Sequence, residues 1–418
     1  MVLFYQLYVN YTITYNGNTN TSGTIPIDSS IYKAGSNVTV LGNSGSLANT
    51  GYVFAGWNTK QNGTGTSYTQ GNTFTINANT ILYAVWTSVP PPSAPTALSS
   101  VGGNTEAYIL FTQTGTVTNY QYSTDNGVTF LAFDPPQIYS PVNITKLSSD
   151  GSTLLTNGTT YTVILKAVNS GGAGSASGLV NVTPTATTLQ SSGRIIYLDA
   201  NNTSSYSGSG TTWTNLDSAG SYSATLTGSP TFNTMVTSNK YFEFNPGAVT
   251  GQYSKITQAT AINPTINSPF TIQIWVRINN IDSQGSLVSK VFGPTSYDGY
   301  ALGYRTDNTL QLHENGTGQV YYFTSVSGVL SSGWVLYTAN IQFGNGGGRT
   351  NKIFVNGRQV ASGTSSETSI PSNTQNMTFP TGFYGEGKCD IGEFYYYNVE
   401  LTPEQIIKNF DATKHRYM

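Results

Sequence analysis

The chain has 418 residues, a formal net charge of −2, 9% charged residues and 37% hydrophobic residues. That length calls for two to four cores rather than one, and the apolar fraction is enough for packed domains and too high for a disordered chain. The near-neutral balance excludes the basic footprint of a nucleic-acid binder.

Cys389 is the only cysteine, so no intramolecular disulfide can form, and it reads as a small buried hydrophobe. No apolar run approaches the roughly 18 residues of a membrane-spanning helix. The 45 glycines and 29 tyrosines, with many Thr, Val, Ile and Phe, make strand the expected element nearly everywhere. Residues 1–9 are apolar but contain no basic residue before Lys33, so they lack a signal peptide's charged start. They are expected to form a strand, and the chain to reach a surface by another route or by cleavage from a longer protein.

The sharpest composition boundary is the proline spacer Val89-Pro90-Pro91-Pro92-Ser93-Ala94-Pro95, and a softer one follows at 183–188. The expected domains are 1–88, a linker 89–95, 96–185 and 190–418. In the first, Tyr11-Thr12-Ile13-Thr14-Tyr15 alternates and runs into the turn Asn16-Gly17-Asn18. There follow Pro26, Asp28, Tyr32 and Gly35, then Gly51-Tyr52-Val53-Phe54-Ala55-Gly56-Trp57-Asn58, Gly63, Gly65, Tyr68 and the closing Leu82-Tyr83-Ala84-Val85-Trp86. This series resembles the internalin-type B-repeat, also called the Listeria–Bacteroides repeat. The resemblance implies a small β-grasp-like module acting as stalk or spacer in a surface protein. Trp57 and Trp86 are expected in its core.

In the second segment, Leu155 stands six residues before Tyr161, the spacing of a tyrosine corner, and 119–127 reads as a strand and tight turn. The segment resembles a fibronectin type III or related immunoglobulin-like sandwich, without the usual strand-B tryptophan, and is read as a spacer.

The third segment opens with Ile195-Ile196-Tyr197-Leu198-Asp199-Ala200 and Gly210-Thr211-Thr212-Trp213. It continues through the alternating runs 241–244 and 270–276, through Trp334, and through the hairpin signal Asn356-Gly357. It closes with Ile391-Gly392-Glu393-Phe394-Tyr395-Tyr396-Tyr397-Asn398 and a helix from Pro403, where Thr402 and Gln405 form a capping box. In this order the motifs resemble the concanavalin A-like, laminin G-like family, which implies a jelly-roll sandwich with a short C-terminal helix. The Leu-Asp-Ala opening and the Asn409-Phe410-x-Ala412-Thr413-Lys414 tail resemble domains of tailed-phage and giant-virus structural proteins. Phe244-Asn245-Pro246-Gly247 stands where the family has an FDG motif, near which calcium-binding relatives place an aspartate.

Glycosidases of this fold carry paired carboxylates on one strand. Here the acidic residues are scattered singly, and only His313 and His415 could serve a histidine-based site. An enzyme is therefore not expected. Tyr297, Asp298, Tyr300, Tyr304, His313, Tyr321 and Tyr322 cluster in the middle of the segment as candidate ligand-binding residues. Aromatic faces and side-chain amides suit a sugar, whereas inward alternation would make Tyr300 and Tyr304 core. No cofactor is expected. A calcium ion held by Asp298 is one alternative, and the metal status is left open. The N-x-S/T sequons, Asn62 and Asn315 among them, are expected by chance in so Asn- and Thr-rich a chain.

The expectation is an all-β, homo-oligomeric fibre, decoration or adhesin at a virion surface. Its partners would be a host glycan or protein and other virion proteins, with no nucleic acid and no membrane span. The alternatives are a ligand-free structural capsid-associated protein and a bacterial cell-surface or extracellular adhesin.

Overall fold

The computed structural model describes residues 9–217, 221–262, 268–291, 299–315, 321–343, 348–365 and 375–418. The strand expected at 1–9 lies almost wholly outside the described residues. The chain divides into two compact units. One comprises Met1–Ser100, Ile109–Leu155 and Thr159–Val182, the other Val101–Tyr108, Thr156–Gly158 and Thr183–Met418.

In the first unit, strand Ile13–Asn16 runs parallel to Thr80–Ser88, which pairs antiparallel with Tyr52–Asn58; Ser67–Tyr68 forms the edge. Trp57 is fully buried, packed edge-on against Tyr15 at 4.7 Å, and donates from Nε1 to the Leu41 carbonyl at 2.9 Å. Trp86 lies at the core margin, its indole N–H on the Gly17 and Asn18 carbonyls.

The repeat motif's small and polar residues have structural causes. Gly56 has φ +128°, and a Cβ there would stand 2.6 Å from the Tyr68 carbonyl oxygen, so only glycine fits the bulge. Asn58 is buried and donates to the Gly63 and Gly65 carbonyls and to Ser67 Oγ, while accepting from the Lys60 and Gly65 amides. One amide thereby shapes the whole connection. Asp28 accepts from the Tyr32 hydroxyl and the Ser30 amide.

Two sheets make the immunoglobulin-like sandwich. One has the order Val142–Ile144, Glu106–Thr112, Thr96–Gly103; the other has Leu131–Ala132, Asn119–Ser123, Tyr161–Asn169, Gly172–Ala176, with Val180–Val182 also on Tyr161–Asn169.

The second unit carries the concanavalin A-like sandwich. Its first sheet has the order Thr231–Thr234, Lys240–Phe244, Cys389–Tyr397, Phe270–Ile278, Trp334–Phe343, Arg349–Val355, Arg358–Ser365, with Arg194–Asp199 also paired to Cys389–Tyr397. Its second has Thr212–Trp213, Ala224–Thr227, Tyr253–Ile256, Met377–Phe379, Gly285–Val291, Gly299–Tyr304, Thr309–Asn315, Tyr321–Ser327. Phe270, Ile272, Ile274, Val276 and Ile278 alternate into the core between the sheets, facing Tyr300, Leu302, Leu310 and Leu312. Cys389 is buried there as well, and burial pushes its thiol well up. Asn356 and Gly357 have φ +50° and +82°, the type I′ turn their sequence predicts. The helix Pro403–Lys414 starts on the full Thr402–Gln405 capping box.

That helix closes the outer face of the first sheet, and the C-terminal sequence motif is its docking surface. Asn409 Nδ2 donates to Gln273 Oε1 at 2.6 Å and to the Tyr397 hydroxyl at 3.0 Å. Phe410 stacks on Trp275, and Thr413 Oγ1 accepts the Trp275 indole N–H at 2.8 Å. The strand Cys389–Tyr397 is therefore buried on both faces along all nine residues.

Candidate binding site

The second sheet's strands Gly299–Tyr304 and Thr309–Asn315 bring several of the candidate residues together, but not as a ligand-facing set. Tyr300 and Tyr304 point into the core and are 1% and 0% exposed, which removes both from any surface site. Tyr300 packs against Phe270 at 4.7 Å, and burial pushes its hydroxyl well up. His313 takes the opposite phase of the alternation and faces outward, yet it is also fully buried: the Phe383 ring stacks on it at 4.0 Å and 16°. These three assignments are corrected by the structure. Tyr297 and Asp298, with the calcium expectation placed on Asp298, lie outside the described residues. Tyr321 and Tyr322 pair with Asn315 and Glu314 in the sheet ladder; their side chains lie outside the description.

Residues 380–387 cover His313. The strands beneath present Ser286, Ser289, Ala301 and Gly303, a bed of small residues that lets backbone come close. The Tyr384 amide donates to Ser286 Oγ at 2.9 Å and the Phe383 amide to Ser289 Oγ at 3.2 Å. A Cβ on Gly303 would meet Tyr384 Cδ2 at 2.1 Å. The outer face of this sheet is thus roofed by the chain's own loop. Around that roof stand exposed Arg305 and Glu386 and half-buried Gln311 and Phe383. The Tyr384 hydroxyl reaches Gln311 Oε1 at 3.4 Å.

The far end of the loop is held by the segment that departs from the FDG pattern. Asn245, at φ +50°, donates from Nδ2 to the Gln252 and Gly387 carbonyls, and its own amide donates to Gln252 Oε1 at 2.7 Å. Glu386 accepts the Gly251 amide with both carboxylate oxygens, and the Lys388 ammonium caps the Gly247 carbonyl. Among the described residues no group of three or more His, Cys, Asp or Glu stands close enough to hold a metal ion.

The buried carboxylates lie on the other sheet and were not singled out by sequence as a cluster. Asp199 and Glu393 are opposite each other on adjacent strands, and Arg416 bridges them at 2.9 and 2.5 Å. Burial, reinforced by Asp199 and opposed by Arg416, pushes the Glu393 carboxyl up to about 8. Asp390 is tied to Arg277 and Asn279. Burial raises its carboxyl above the ordinary range. Tyr417 covers this region, stacking on Trp275 at 4.5 Å, and a Cβ on Gly392 would strike its hydroxyl at 2.2 Å.

Comparison with known proteins places two segments of the chain. Residues 248–407 match the family model described as the concanavalin A-like lectin/glucanases superfamily. Residues 11–85 match the Listeria–Bacteroides repeat domain. A putative membrane protein of Evansella cellulosilytica is 37% identical over 90 residues, which cover 21% of this chain and 13% of that protein. Among solved structures, the chain is similar to the receptor binding domain of botulinum neurotoxin C/D mosaic serotype, with 15% identity, TM-score 0.40, and coverage of 52% of this chain and 51% of that one. It is also similar to the binding domain of Paraclostridial Mosquitocidal Protein 1, with 14% identity, TM-score 0.41 and 52% of each chain covered. The chain thus spans about half the length of these solved chains and a small part of the curated relative. Among the described residues no helix is long and apolar enough to cross a membrane.

Proposed function

We propose that this chain is a non-enzymatic, surface-displayed binding protein whose concanavalin A-like sandwich is a receptor-binding head for a glycan or a host-surface protein. In this reading the repeat module and a fibronectin type III-like sandwich serve as its stalk, and the protein is a homo-oligomeric fibre, decoration or adhesin at a virion surface. The roofed outer face of the second sheet carries the reading. There residues 380–387 are fixed on a bed of serine and glycine, holding Phe383 over His313 and Tyr384 against Gln311, with Arg305 and Glu386 exposed nearby. An aromatic and amide patch on a rigid support is suited to recognition. The buried carboxylates Asp199, Glu393 and Asp390 are engaged by arginines under the other sheet's cover, a poor arrangement for attacking a substrate. The virion placement is supported by the Leu-Asp-Ala opening and the Asn409–Lys414 tail, whose residues dock the helix.

The test is binding of the full chain to a glycan array and to intact candidate host cells, with calcium and with chelator. Saturable binding that falls in Arg305→Ala and Phe383→Ala supports the head. Binding indifferent to both variants sinks a head at this face, and no binding at all favours a ligand-free structural role.

A second reading, a bacterial cell-surface adhesin, is favoured by the 90-residue match to the Evansella putative membrane protein. Mass spectrometry of purified virions against cell-envelope fractions separates the two placements.

A further inference from the structure

The central sandwich has a cleft of its own, about 580 Å³ in volume, between the end of strand Glu106–Thr112, the turn at 115–117 and residues 138–140. That volume falls within the roughly 300–1,000 Å³ typical of small-ligand sites. Phe111 and Tyr120, edge-on at 4.8 Å and both buried, line it from the core side. Ile138 and Tyr139, 40% and 57% exposed, line it toward solvent.

The wall bearing Ile138 and Tyr139 is built, not loose. Gln137 Nε2 donates to the Asn143 carbonyl while its Oε1 accepts the Asn143 amide, and Asn119 Oδ1 accepts the Tyr120 and Gln137 amides. Asn119 Nδ2 holds the Phe133 carbonyl, and Ser140 Oγ accepts the Phe111 amide at 2.9 Å. Two side-chain amides therefore fix this segment to the strands, and a ligand meeting it incurs little ordering cost.

The chemistry of the lining selects the ligand class. None of the lining residues is charged, so nothing there compensates an ionic ligand. Thr112, Thr116 and Ser140 offer hydroxyls beside the aromatic rings. Gln113 Nε2 is committed to the Ser93 and Thr114 carbonyls, while its Oε1 is buried without a hydrogen-bond partner. We propose that this cleft is a binding site for one or two rings of a neutral oligosaccharide, with Tyr139 as the stacking face, so that the central sandwich is a second recognition module and not only a spacer.

The experiment uses the full chain with cellohexaose, maltohexaose and chitohexaose at millimolar concentration, read by calorimetry and by hydrogen-exchange mass spectrometry. Binding of at least one hexasaccharide is expected, with slowed exchange confined to peptides covering 111–120 and 134–141. Tyr139→Ala should weaken it about tenfold or more with unchanged thermal stability, and Tyr139→Phe should retain most of it. Absence of saturable binding by all three overturns the proposal. So does binding that protects only the C-terminal unit, or binding that Tyr139→Ala leaves intact. Loss in Tyr139→Phe equal to that in Tyr139→Ala overturns the stacking role. Arg305→Ala, which tests the C-terminal head, should leave this binding unchanged, so the two sites fail separately.

Discussion

Replacing Arg416 by methionine tests whether the C-terminal tail is held by charge. The guanidinium stands 2.9 Å from Asp199 and 2.5 Å from Glu393, whose side chains are 3% and 0% exposed, while Arg416 is 25% exposed. Methionine keeps much of the aliphatic stem and removes the cation, leaving two buried carboxylates in register on adjacent strands. Stripping one partner from a buried pair typically costs 3–5 kcal/mol. Protonation of Glu393, already pushed up to about 8, relieves part of that cost, which points to the lower end, about 3 kcal/mol. For a unit of this size each kcal/mol moves the melting temperature by roughly 2–4 °C, so the C-terminal calorimetric transition should fall by about 6–12 °C. Glu393→Gln matches one carboxylate to one cation and should cost under about 1 kcal/mol. A shift below about 2 °C in Arg416→Met, or equal shifts in both variants, would refute the reasoning.

The same carboxyl sets a pH dependence. Its folded pKa lies above the ordinary carboxylate value, so its stabilising contribution is complete below about pH 4 and is lost as pH rises through about 8. The C-terminal transition should therefore fall from pH 5 to pH 9, by at most ~1.4 kcal/mol per pH unit, and Glu393→Gln should flatten that slope in the same scans. Asn58→Ala strips five hydrogen bonds from the first module and should destabilise it by on the order of 3 kcal/mol, read by urea unfolding of Trp57 fluorescence. Gly303→Ala drives a methyl into the Tyr384 ring; hydrogen exchange should rise across 380–387 with little change at 270–278. Cys389 should resist thiol reagents in native buffer and react at once in denaturant, since the buried thiol is held neutral.

How much of this was legible follows from the range over which each cause acts. The Asn356-Gly357 turn and the Thr402–Gln405 capping box are fixed by backbone rules spanning a few residues, and both were readable in the chain. Strand phase was not. Alternation at 300–304 shows that Tyr300, Leu302 and Tyr304 share a face but not which face, and a sequence with tyrosine inward reads the same as one with tyrosine displayed. The strand Cys389–Tyr397 hides even its alternation, because the C-terminal helix buries the face that would otherwise be polar.

The candidate site was the least legible part, because its defining contacts join segments far apart in the chain. Position 313 looked available until Phe383 was laid over it, and Asp199 and Glu393 looked like scattered acids until strand pairing set them side by side under Arg416. Yet small-residue signals for both were present. Ser286, Ser289 and Gly303 have no reason to be small on a solvated sheet face, where β-branched or charged side chains serve as well. They have one if backbone must lie against them. Gly392, inside an otherwise bulky strand, is the same signal for Tyr417, whose hydroxyl takes the space its Cβ would fill. Glycine and serine at strand positions whose neighbours are large mark where this chain folds back over its own sheets, and those are the places where the surface left for a ligand is decided.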